Sequence, residues 1–320
     1  MCAEALPREA SGHEAEASPG TATPARRAPV SIVIPTYNEE KAIGTVLRDV
    51  KEAMTRSGRE FEIVVVDDGS GDGTVAAAEA AGVRVLRHGT NRGYGAALKT
   101  GLRHARQALV CITDADGTYP SERLPDLLDQ LNRDESDMVV GARTGTDVAI
   151  PWVRRPAKWI IGWLATLVAG AAIPDVNSGL RVFRRQVALV FVSLLPDGFS
   201  FTTTLTLAML SNGYLVGYLP VSYYQRVGRS KIRPIRDTLN FVQLILRIAL
   251  YFAPLKIFLP VSALLVLLGI GWGVFSLKVL GHLADVSTVV IIMAGIQVAV
   301  IGLLAELVNR RLPNYYRPEE

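Results

Sequence analysis

Two long apolar runs near the C-terminus place the strongest limit on how this chain can fold. Residues 257–277 carry no charge, and residues 286–308 carry only Glu306. Runs of this length can cross a hydrocarbon layer of about 30 Å as helices. The short connection between them predicts a transmembrane hairpin, and two buried helices of a soluble domain are the alternative. Basic residues before the first run and after the second predict that both ends of the hairpin lie in the cytosol.

Charge is divided unevenly along the rest of the chain. Residues 30–150 hold 14 basic and 19 acidic side chains, whereas residues 151–256 hold 13 basic and three acidic ones. A basic segment that leads directly into membrane spans is typical of a surface that meets anionic lipid, and we expect no nucleic-acid partner. Residues 151–173 and 236–256 are predicted to form amphipathic helices at the membrane interface. An ordinary core helix is the alternative interpretation of residues 151–173.

The two ends of the chain lack long apolar runs. Residues 1–29 are rich in Ala, Pro, Glu and Arg, and they predict a disordered tail without a signal peptide. Residues 309–320 are predicted to form a cytosolic tail. Together with the hairpin, these features predict a multi-pass protein of the plasma membrane whose catalytic domain is cytosolic. Two cysteines and four scattered histidines give neither a disulfide framework nor a zinc-ligand spacing.

The region that follows the N-terminal tail is predicted to form an α/β domain over residues 30–235. Short apolar runs alternate there with stretches of helical periodicity, and the runs occupy residues 30–35, 62–66, 83–86, 108–113 and 138–141. This alternation predicts a mostly parallel, doubly wound sheet with flanking helices. In such sheets ligands bind beyond the carboxyl ends of the strands. The polar turns that contain Tyr37, Asp68 and Asp114 lie at such ends.

Asp114 and Asp116 follow one of these apolar runs directly. Alternate residues of an extended segment share a face, so both carboxylates can point in the same direction. Two neighbouring negative charges are costly unless a cation lies beside them, and oxygen ligands suit Mg²⁺ or Mn²⁺. A polar turn that caps the next helix is the alternative interpretation.

The two other polar turns are ambiguous on their own. Asp67-Asp68-Gly69-Ser70 is either a common Asx-rich turn or a site at which Asp68 hydrogen-bonds a nucleoside. The turn at residues 35–39 is either a plain turn with a helix cap or a place where Tyr37 flanks a base and Glu39 accepts a hydrogen bond from the base or ribose.

Four motifs taken together carry a family resemblance. The segments IPTYNEE, VVVDDGSGDGT, NRGYGAALKTGL and DADGTYP resemble those of the family 2 glycosyltransferases of GT-A fold. Within that family they look like the dolichol-phosphate mannose or glucose synthases and their bacterial polyprenyl-phosphate relatives. The resemblance covers roughly residues 30–235, and the hairpin matches one architecture of that branch. It implies an inverting, metal-dependent transfer of a sugar from a nucleotide-sugar donor, of the GDP-mannose or UDP-glucose type, to polyprenyl phosphate.

The resemblance also implies roles for individual positions. The residues implied at the nucleotide are Pro35, Tyr37, Glu39, Val66 and Asp68. The residues implied at the metal and the diphosphate are Asp114, Ala115 and Asp116, and Arg143 is implied near the donor. The residues implied in a basic loop that closes over phosphate groups are Arg226, Arg229 and Lys231. Catalytic roles are predicted for Asp114, Asp116, Arg226 and Lys231.

Two positions depart from the family pattern. Some relatives carry a Gln that assists the metal at the position of Thr118, and some carry a Glu within residues 199–204. A hydroxyl or a water in place of the Gln leaves the metal geometry open. The absent Glu leaves the donor identity and the details of acceptor binding open.

The chemistry of the acceptor accounts for the lack of an obvious catalytic base. A phosphate monoester has a second pKa of about 6 and is already ionised near neutral pH. A cation held by Asp114 and Asp116 would stabilise the departing nucleoside diphosphate. The basic loop would hold the attacking phosphate, and anchoring to anionic headgroups is the alternative role for its charges.

Three other functions fit parts of the sequence. A glycosyltransferase could act on another membrane acceptor. A polysaccharide synthase usually needs more spans and a QxxRW-type motif, and neither is found in the sequence. A catalytically silent sensor of nucleotide-sugars is a third reading, and the intact DAD motif argues against it. The paired spans could also support a homo-oligomer.

Overall fold

The computed structural model describes most of the predicted catalytic domain and the hairpin. The described residues are 28–144, 173–224, 254–280 and 285–311, with the single positions 166 and 250. The predicted N-terminal tail and the predicted interfacial helices at 151–173 and 236–256 lie almost wholly outside this part of the chain. The basic loop and nearly all of the C-terminal tail lie outside it as well, so these assignments stay predictions.

One mixed sheet forms the centre of the domain. Its strands are β1 (Val30–Thr36), β2 (Phe61–Asp67), β3 (Arg84–Arg87), β4 (Leu109–Ile112), β5 (Met138–Ala142), β6 (Arg181–Arg184) and β7 (Val216–Pro220). The helices that accompany them are α1 (Glu40–Arg56), α2 (Thr74–Ala80), α3 (Tyr94–His104), α4 (Leu124–Arg133), α5 (Arg185–Phe191) and α6 (Phe201–Ser211). A short 3₁₀ turn, Ser121–Arg123, leads into α4.

The strand order confirms the predicted α/β class and adds one antiparallel strand. The order across the sheet is β3-β2-β1-β4-β6-β5-β7. β1 pairs in parallel with β2 and β4, and β5 pairs in parallel with β7. β6 runs antiparallel to both of its neighbours, β4 and β5. The sheet is therefore mostly parallel, and the carboxyl ends of β1, β2 and β4 meet at one edge.

Apolar residues on both faces of the sheet explain why the central strands carry continuous rather than alternating hydrophobicity. All seven residues of β1 are buried. One face packs against α1, α2 and α4, and the other packs against α3, α5 and α6. In α1 the buried Ile43, Leu47, Val50 and Met54 recur at helical spacing and form the inner stripe. Burial of each such side chain contributes about 1.5–3 kcal/mol.

The C-terminal helices form an antiparallel hairpin with an apolar outer surface. They are α7 (Leu255–Phe275), continued by a π-helical turn at Ser276–Leu280, and α8 (Asp285–Arg311). Small residues let the two helices approach, since a Cβ added at Gly295 would lie 2.8 Å from Val266 Cγ2. Only 17% and 11% of the residues in the most apolar windows of the two spans, Leu255–Val279 and Val286–Val308, are buried. This exposed apolar surface is unsuited to water and favours the membrane hairpin over two core helices of a soluble domain.

Candidate active site

The first two polar turns of the sequence interlock at the carboxyl edge of the sheet. Register places Thr36 opposite Asp67, so β1 and β2 end together. The backbone N–H of Asn38 donates to Ser70 Oγ at 2.9 Å, and the N–H of Gly71 donates back to Asn38 Oδ1 at 2.9 Å. Asn38 has a φ of 55°, a left-handed conformation that asparagine tolerates better than most residues. The two turns therefore form one rigid rim.

The residues implied at the nucleotide lie on or beside this rim. Pro35 and Val66 are buried register partners on β1 and β2, so they form its floor. The Tyr37 side chain is 38% exposed, which leaves ring surface for a ligand to contact. Glu39 is half-buried, and its backbone N–H donates to Thr74 Oγ1 at 2.8 Å. The structure thus brings this predicted set together at one edge.

Asp68 has structural partners that the sequence did not reveal. Its buried carboxylate accepts hydrogen bonds from the backbone N–H of Arg92 at 2.9 Å and of Gly93 at 2.8 Å. It also lies 2.7 Å from His88 Nδ1, and the other ring nitrogen of His88 lies 2.9 Å from Thr100 Oγ1. A carboxylate has about four lone-pair positions. Most of the hydrogen-bonding positions of Asp68 are therefore occupied by groups that fix the loop leading into α3.

Asp114 lies at the end of β4 and is oriented by a tyrosine from α3. Tyr94 OH donates to Asp114 Oδ1 at 2.8 Å. Burial, followed by the negative charge of Asp114, raises the pKa of Tyr94 and keeps its hydroxyl protonated as a donor. On the other side, a Cβ added at Gly179 would lie only 2.5 Å from Asp114 Oδ2. The glycine is therefore required for the present position of the carboxylate.

Asp116 is oriented by Thr118. Thr118 is fully buried, and both its N–H and its hydroxyl donate to Asp116 Oδ1, at 3.1 and 2.7 Å. Asp116 is itself 8% exposed. The threonine thus fixes one oxygen of Asp116 through an Asx-type turn.

The two aspartates fit a hard divalent cation only in part. Carboxylate oxygens are the donors that Mg²⁺ and Mn²⁺ prefer. Among the residues that the structure describes, no group of three or more His, Cys, Asp or Glu side chains could hold a metal ion. A cation at Asp114 and Asp116 would therefore need further oxygen ligands from phosphate groups or water.

Arg143 forms a forked ion pair that was not predicted. Its Nε and Nη2 donate to the two oxygens of Asp175 at 2.7 and 2.9 Å, and its guanidinium carbon lies 5.2 Å from the ring centroid of Tyr223. Burial acts to raise the pKa of Asp175, but the hydrogen bonds from Arg143 outweigh it and hold that pKa below 3.8. Asp175 could have been noticed as one of only three acids in the basic stretch 151–256.

The polypeptide leaves the sheet beside the aspartates on its way to the membrane hairpin. After β7, the backbone N–H of Tyr224 donates to the carbonyl of Thr118 at 2.9 Å. The ring of Tyr223 packs edge-on against Tyr119, and the Tyr119 hydroxyl accepts a hydrogen bond from the N–H of Gly179 at 2.7 Å. In the sequence, the segment predicted to form the basic loop, with Arg226, Arg229 and Lys231, follows directly.

The threonines within residues 199–204 lie at the start of α6. They are buried, and the hydroxyls of Thr202 and Thr203 lie 3.4 and 3.5 Å from Asn177 Oδ1. This position therefore contributes neutral hydroxyl groups.

Comparisons with known proteins identify the family to which this chain is related. Residues 31–189 match the model of Glycosyl transferase family 2, and residues 253–310 match that of the GtrB C-terminal hairpin. The dodecaprenyl-phosphate galacturonate synthase of Rhizobium johnstonii is 27% identical, over 94% of this chain and 92% of the relative. The dolichyl-phosphate hexose transferase of Haloferax volcanii is 35% identical, over 64% of this chain and 87% of the relative. The polyprenol monophosphomannose synthase of Mycolicibacterium smegmatis is 32% identical, over 67% and 84%.

Solved structures share the fold at low identity. Glucosyl-3-phosphoglycerate synthase from Mycobacterium tuberculosis, crystallised with Mn²⁺, UDP and glucosyl-3-phosphoglycerate, superposes with a TM-score of 0.55 at 20% identity, covering 70% of this chain and 79% of that one. Mannosyl-3-phosphoglycerate synthase from Rubrobacter xylanophilus superposes with a TM-score of 0.55 at 22% identity, covering 69% of this chain and 72% of that one. At this level of identity the likeness confirms the GT-A type of sheet.

Proposed function

Because the chain belongs to glycosyl transferase family 2, we propose that it transfers a sugar from a nucleotide-sugar to a polyprenyl phosphate at the cytosolic face of the plasma membrane. The observation that carries this proposal is the contact of Tyr224 with Thr118, which ties the chain segment that leads to the membrane hairpin to the turn of the DAD motif. The names of the three relatives, each of which specifies a lipid phosphate, support the same acceptor class.

The donor is proposed to lie along the carboxyl edge of the sheet. The rim around Tyr37 and Glu39 would bind the nucleoside, and Asp114 and Asp116 would lie at the diphosphate. This direction follows the strand order, since β2, β1 and β4 are neighbours in the sheet. A donor of the GDP-mannose or UDP-glucose type fits the proposal. The mycobacterial structure that contains Mn²⁺ and UDP supports a divalent ion and a nucleoside diphosphate in a site of this fold.

The reaction we propose needs no proton transfer to the enzyme. An ionised oxygen of the lipid phosphate attacks the anomeric carbon, and the bond from that carbon to the diphosphate oxygen breaks with its electron pair on the leaving group. Attack opposite the leaving group inverts the anomeric centre. Mg²⁺ or Mn²⁺, when bound, would supply positive charge to the leaving diphosphate. The hydrogen bonds from Tyr94 and Thr118, which orient the two aspartates, support this role.

The basic loop is proposed to bind the attacking phosphate. Arg226 follows Tyr224 by two positions, and two residues of extended chain span about 7 Å at most. Of the three basic residues of this segment, Arg226 is therefore the one that chain connectivity ties most closely to the DAD turn. Arg229 and Lys231 would add charge that reduces repulsion between the two phosphate-bearing substrates.

The central experiment measures transfer of radiolabelled sugar into organic-extractable lipid, using membranes and short-chain polyprenyl phosphate with a panel of donors. Asp116→Asn should nearly abolish transfer and leave the protein in the membrane fraction. Asp134→Asn is the matched control, because Asp134 is an exposed aspartate next to the end of α4. Wild-type turnover by Asp116→Asn would exclude the metal role.

A second variant tests the acceptor assignment. Arg226→Ala should raise the KM for polyprenyl phosphate more than the KM for the donor, because the lost guanidinium faces the acceptor in this proposal. Arg133→Ala, at the exposed end of α4, is the control. A change confined to the donor KM would show that Arg226 serves the nucleotide instead.

A further inference from the structure

Arg181 is a completely buried arginine that none of the assignments above uses. It is the first residue of β6 and has no exposed surface. Its Nε donates to the carbonyl of Ser178 at 3.1 Å, and Nη2 donates to the same carbonyl. Its Nη1 donates to the carbonyl of Thr202 at 2.8 Å and to Thr206 Oγ1 at 2.9 Å. The guanidinium is therefore held firmly, but by neutral acceptors.

The charge of Arg181 lacks the partner that other sheltered arginines have. Arg59 pairs with Asp129, and Arg143 pairs with Asp175. Within the described ranges of the chain, no carboxylate oxygen lies within 4.0 Å of the Arg181 guanidinium. Burial lowers the pKa of Arg181, although a guanidinium stays charged in proteins. A buried and unpaired charge is costly, so its presence calls for a compensating role.

Arg181 lies on the strand next to the one that leads into Asp114. In the sheet its register partner is Ile112 on β4, two residues before Asp114. The carbonyl that accepts two of its hydrogen bonds belongs to Ser178, which directly precedes Gly179. Gly179 in turn packs against the carboxylate of Asp114. The backbone of Ser178 and Gly179 therefore connects the group that binds the guanidinium with the group that packs against the aspartate.

We propose that Arg181 is a positioning residue that supplies a permanent positive charge to the diphosphate site, favouring the nucleoside diphosphate and opposing the metal cation. The inference rests on the proposed function, because it needs both ligands to bind at Asp114 and Asp116. Fixed charge in a low-dielectric interior acts without reorganisation, so it stabilises the negative charge that grows on the leaving group. The threonines of α6 that contact Arg181 are neutral, and Asp175, whose negative charge also acts on Arg181, is itself paired with Arg143.

An electrostatic role and a purely structural role predict different signs. If Arg181 only stabilises the loop before Asp114, its loss should weaken the binding of every ligand of the site. If its charge acts on the ligands, Arg181→Met should weaken binding of a nucleoside diphosphate in the absence of metal, by about tenfold. The same variant should bind Mn²⁺ alone more tightly, because a repulsive charge has been removed.

The test compares ligand affinities in purified full-length protein in detergent. Mn²⁺ binding is followed by electron paramagnetic resonance of the free ion, and binding of UDP and GDP without metal is followed by calorimetry. The variants are Arg181→Met and the charge-conserving Arg181→Lys. Arg59→Met is the control, because Arg59 is a buried arginine whose partner Asp129 lies on α4 and not at the DAD turn.

We expect Arg181→Met to bind the nucleoside diphosphate more weakly and Mn²⁺ more tightly than wild type. Arg181→Lys and Arg59→Met should keep both affinities near those of wild type. Weaker binding of both ligands by Arg181→Met would overturn the inference and show that Arg181 has only a structural role. Should Arg181→Met fail to fold, Arg181→Lys decides, since loss of either affinity there would equally overturn it. A wild-type protein that binds neither Mn²⁺ nor a nucleoside diphosphate would refute the proposed function itself, and the inference with it.

Discussion

Replacing Gly179 with alanine should disable the site without removing any of its functional groups. The added Cβ would lie 2.5 Å from Asp114 Oδ2 and 2.8 Å from Asp114 Cγ and Oδ1, whereas real Cβ contacts essentially never fall below 3.0 Å. The carboxylate must therefore move, and its Oδ1 is tied to Tyr94 by the 2.8 Å hydrogen bond. Relieving the clash therefore either breaks the hydrogen bond between Tyr94 and Asp114 or shifts both of these side chains.

The size of the effect follows from these distances. Restoring an ordinary contact requires a displacement of the carboxylate approaching 1 Å, and a misplacement of about 1 Å can cost roughly 10²-fold in rate. Loss of the hydrogen bond from Tyr94 to a charged acceptor would cost about 1.5–3 kcal/mol of stability. The backbone itself accepts alanine, because Gly179 does not have a positive φ. We therefore expect a large loss of turnover in a protein that still folds.

The assay is the transfer of radiolabelled sugar into lipid, paired with thermal unfolding in detergent. Gly198→Ala is the matched control: it lies in the loop before α6, has no positive φ, and its added Cβ meets nothing within 4 Å. We expect near-normal turnover from Gly198→Ala. Normal turnover from Gly179→Ala would show that the reaction does not depend on the present orientation of Asp114, and the proposed role of that carboxylate would fall.

Two further predictions concern the ion pair of Arg143 and Asp175. Arg143→Met should lower the free energy of unfolding by about 3 kcal/mol, because it leaves a largely buried carboxylate unpaired. Asp175→Asn added to it should recover part of the loss in chemical denaturation, and no recovery would contradict the pairing. The lowered pKa of Asp175 means that its ionised form adds stability above pH 3.8, which is lost as the pH falls through the folded-state pKa. The melting temperature should therefore fall less steeply below about pH 4 in Asp175→Asn than in wild type, and equal slopes would refute this.

The fold was predictable where local pattern and final environment agree. The runs that became β1, β2 and β4 are continuous apolar segments, and they occupy the centre of the sheet, where both faces are covered. β6 escaped prediction because it has only four residues, with Arg181 and Arg184 at its ends. Nothing local in that sequence indicates that Arg181 is buried or that the strand reverses direction. Both features depend on neighbours that are distant in the chain.

The sequence proposes side chains that could bind ligands at the candidate site, but not the groups that orient them. Asp114 and Asp116 can be picked out in the sequence because they are alternate acidic residues that follow an apolar strand directly. The partner of Arg143 is Asp175, 32 positions away, and the spacing of the two residues encodes no contact. The sequence likewise does not indicate that the carboxylate of Asp68 accepts hydrogen bonds from the backbone N–H groups of Arg92 and Gly93. Residue type and turn position identify a chemical group, whereas only the packed fold reveals what orients it.

The described residues after β7 bear on how the proposed lipid acceptor would reach the site. β7 runs parallel to β5, so its carboxyl end points to the same edge as the proposed donor site. The next residues turn back over that edge, where Tyr224 binds the backbone of Thr118 and Tyr223 covers Arg143. The segment toward Leu255 and the hairpin thus starts at the DAD turn and not at a remote surface. In the proposed function, an acceptor phosphate held by this segment would therefore meet the DAD turn from the β7 side, whereas the nucleotide rim lies on β1 and β2, on the other side of β4 in the strand order.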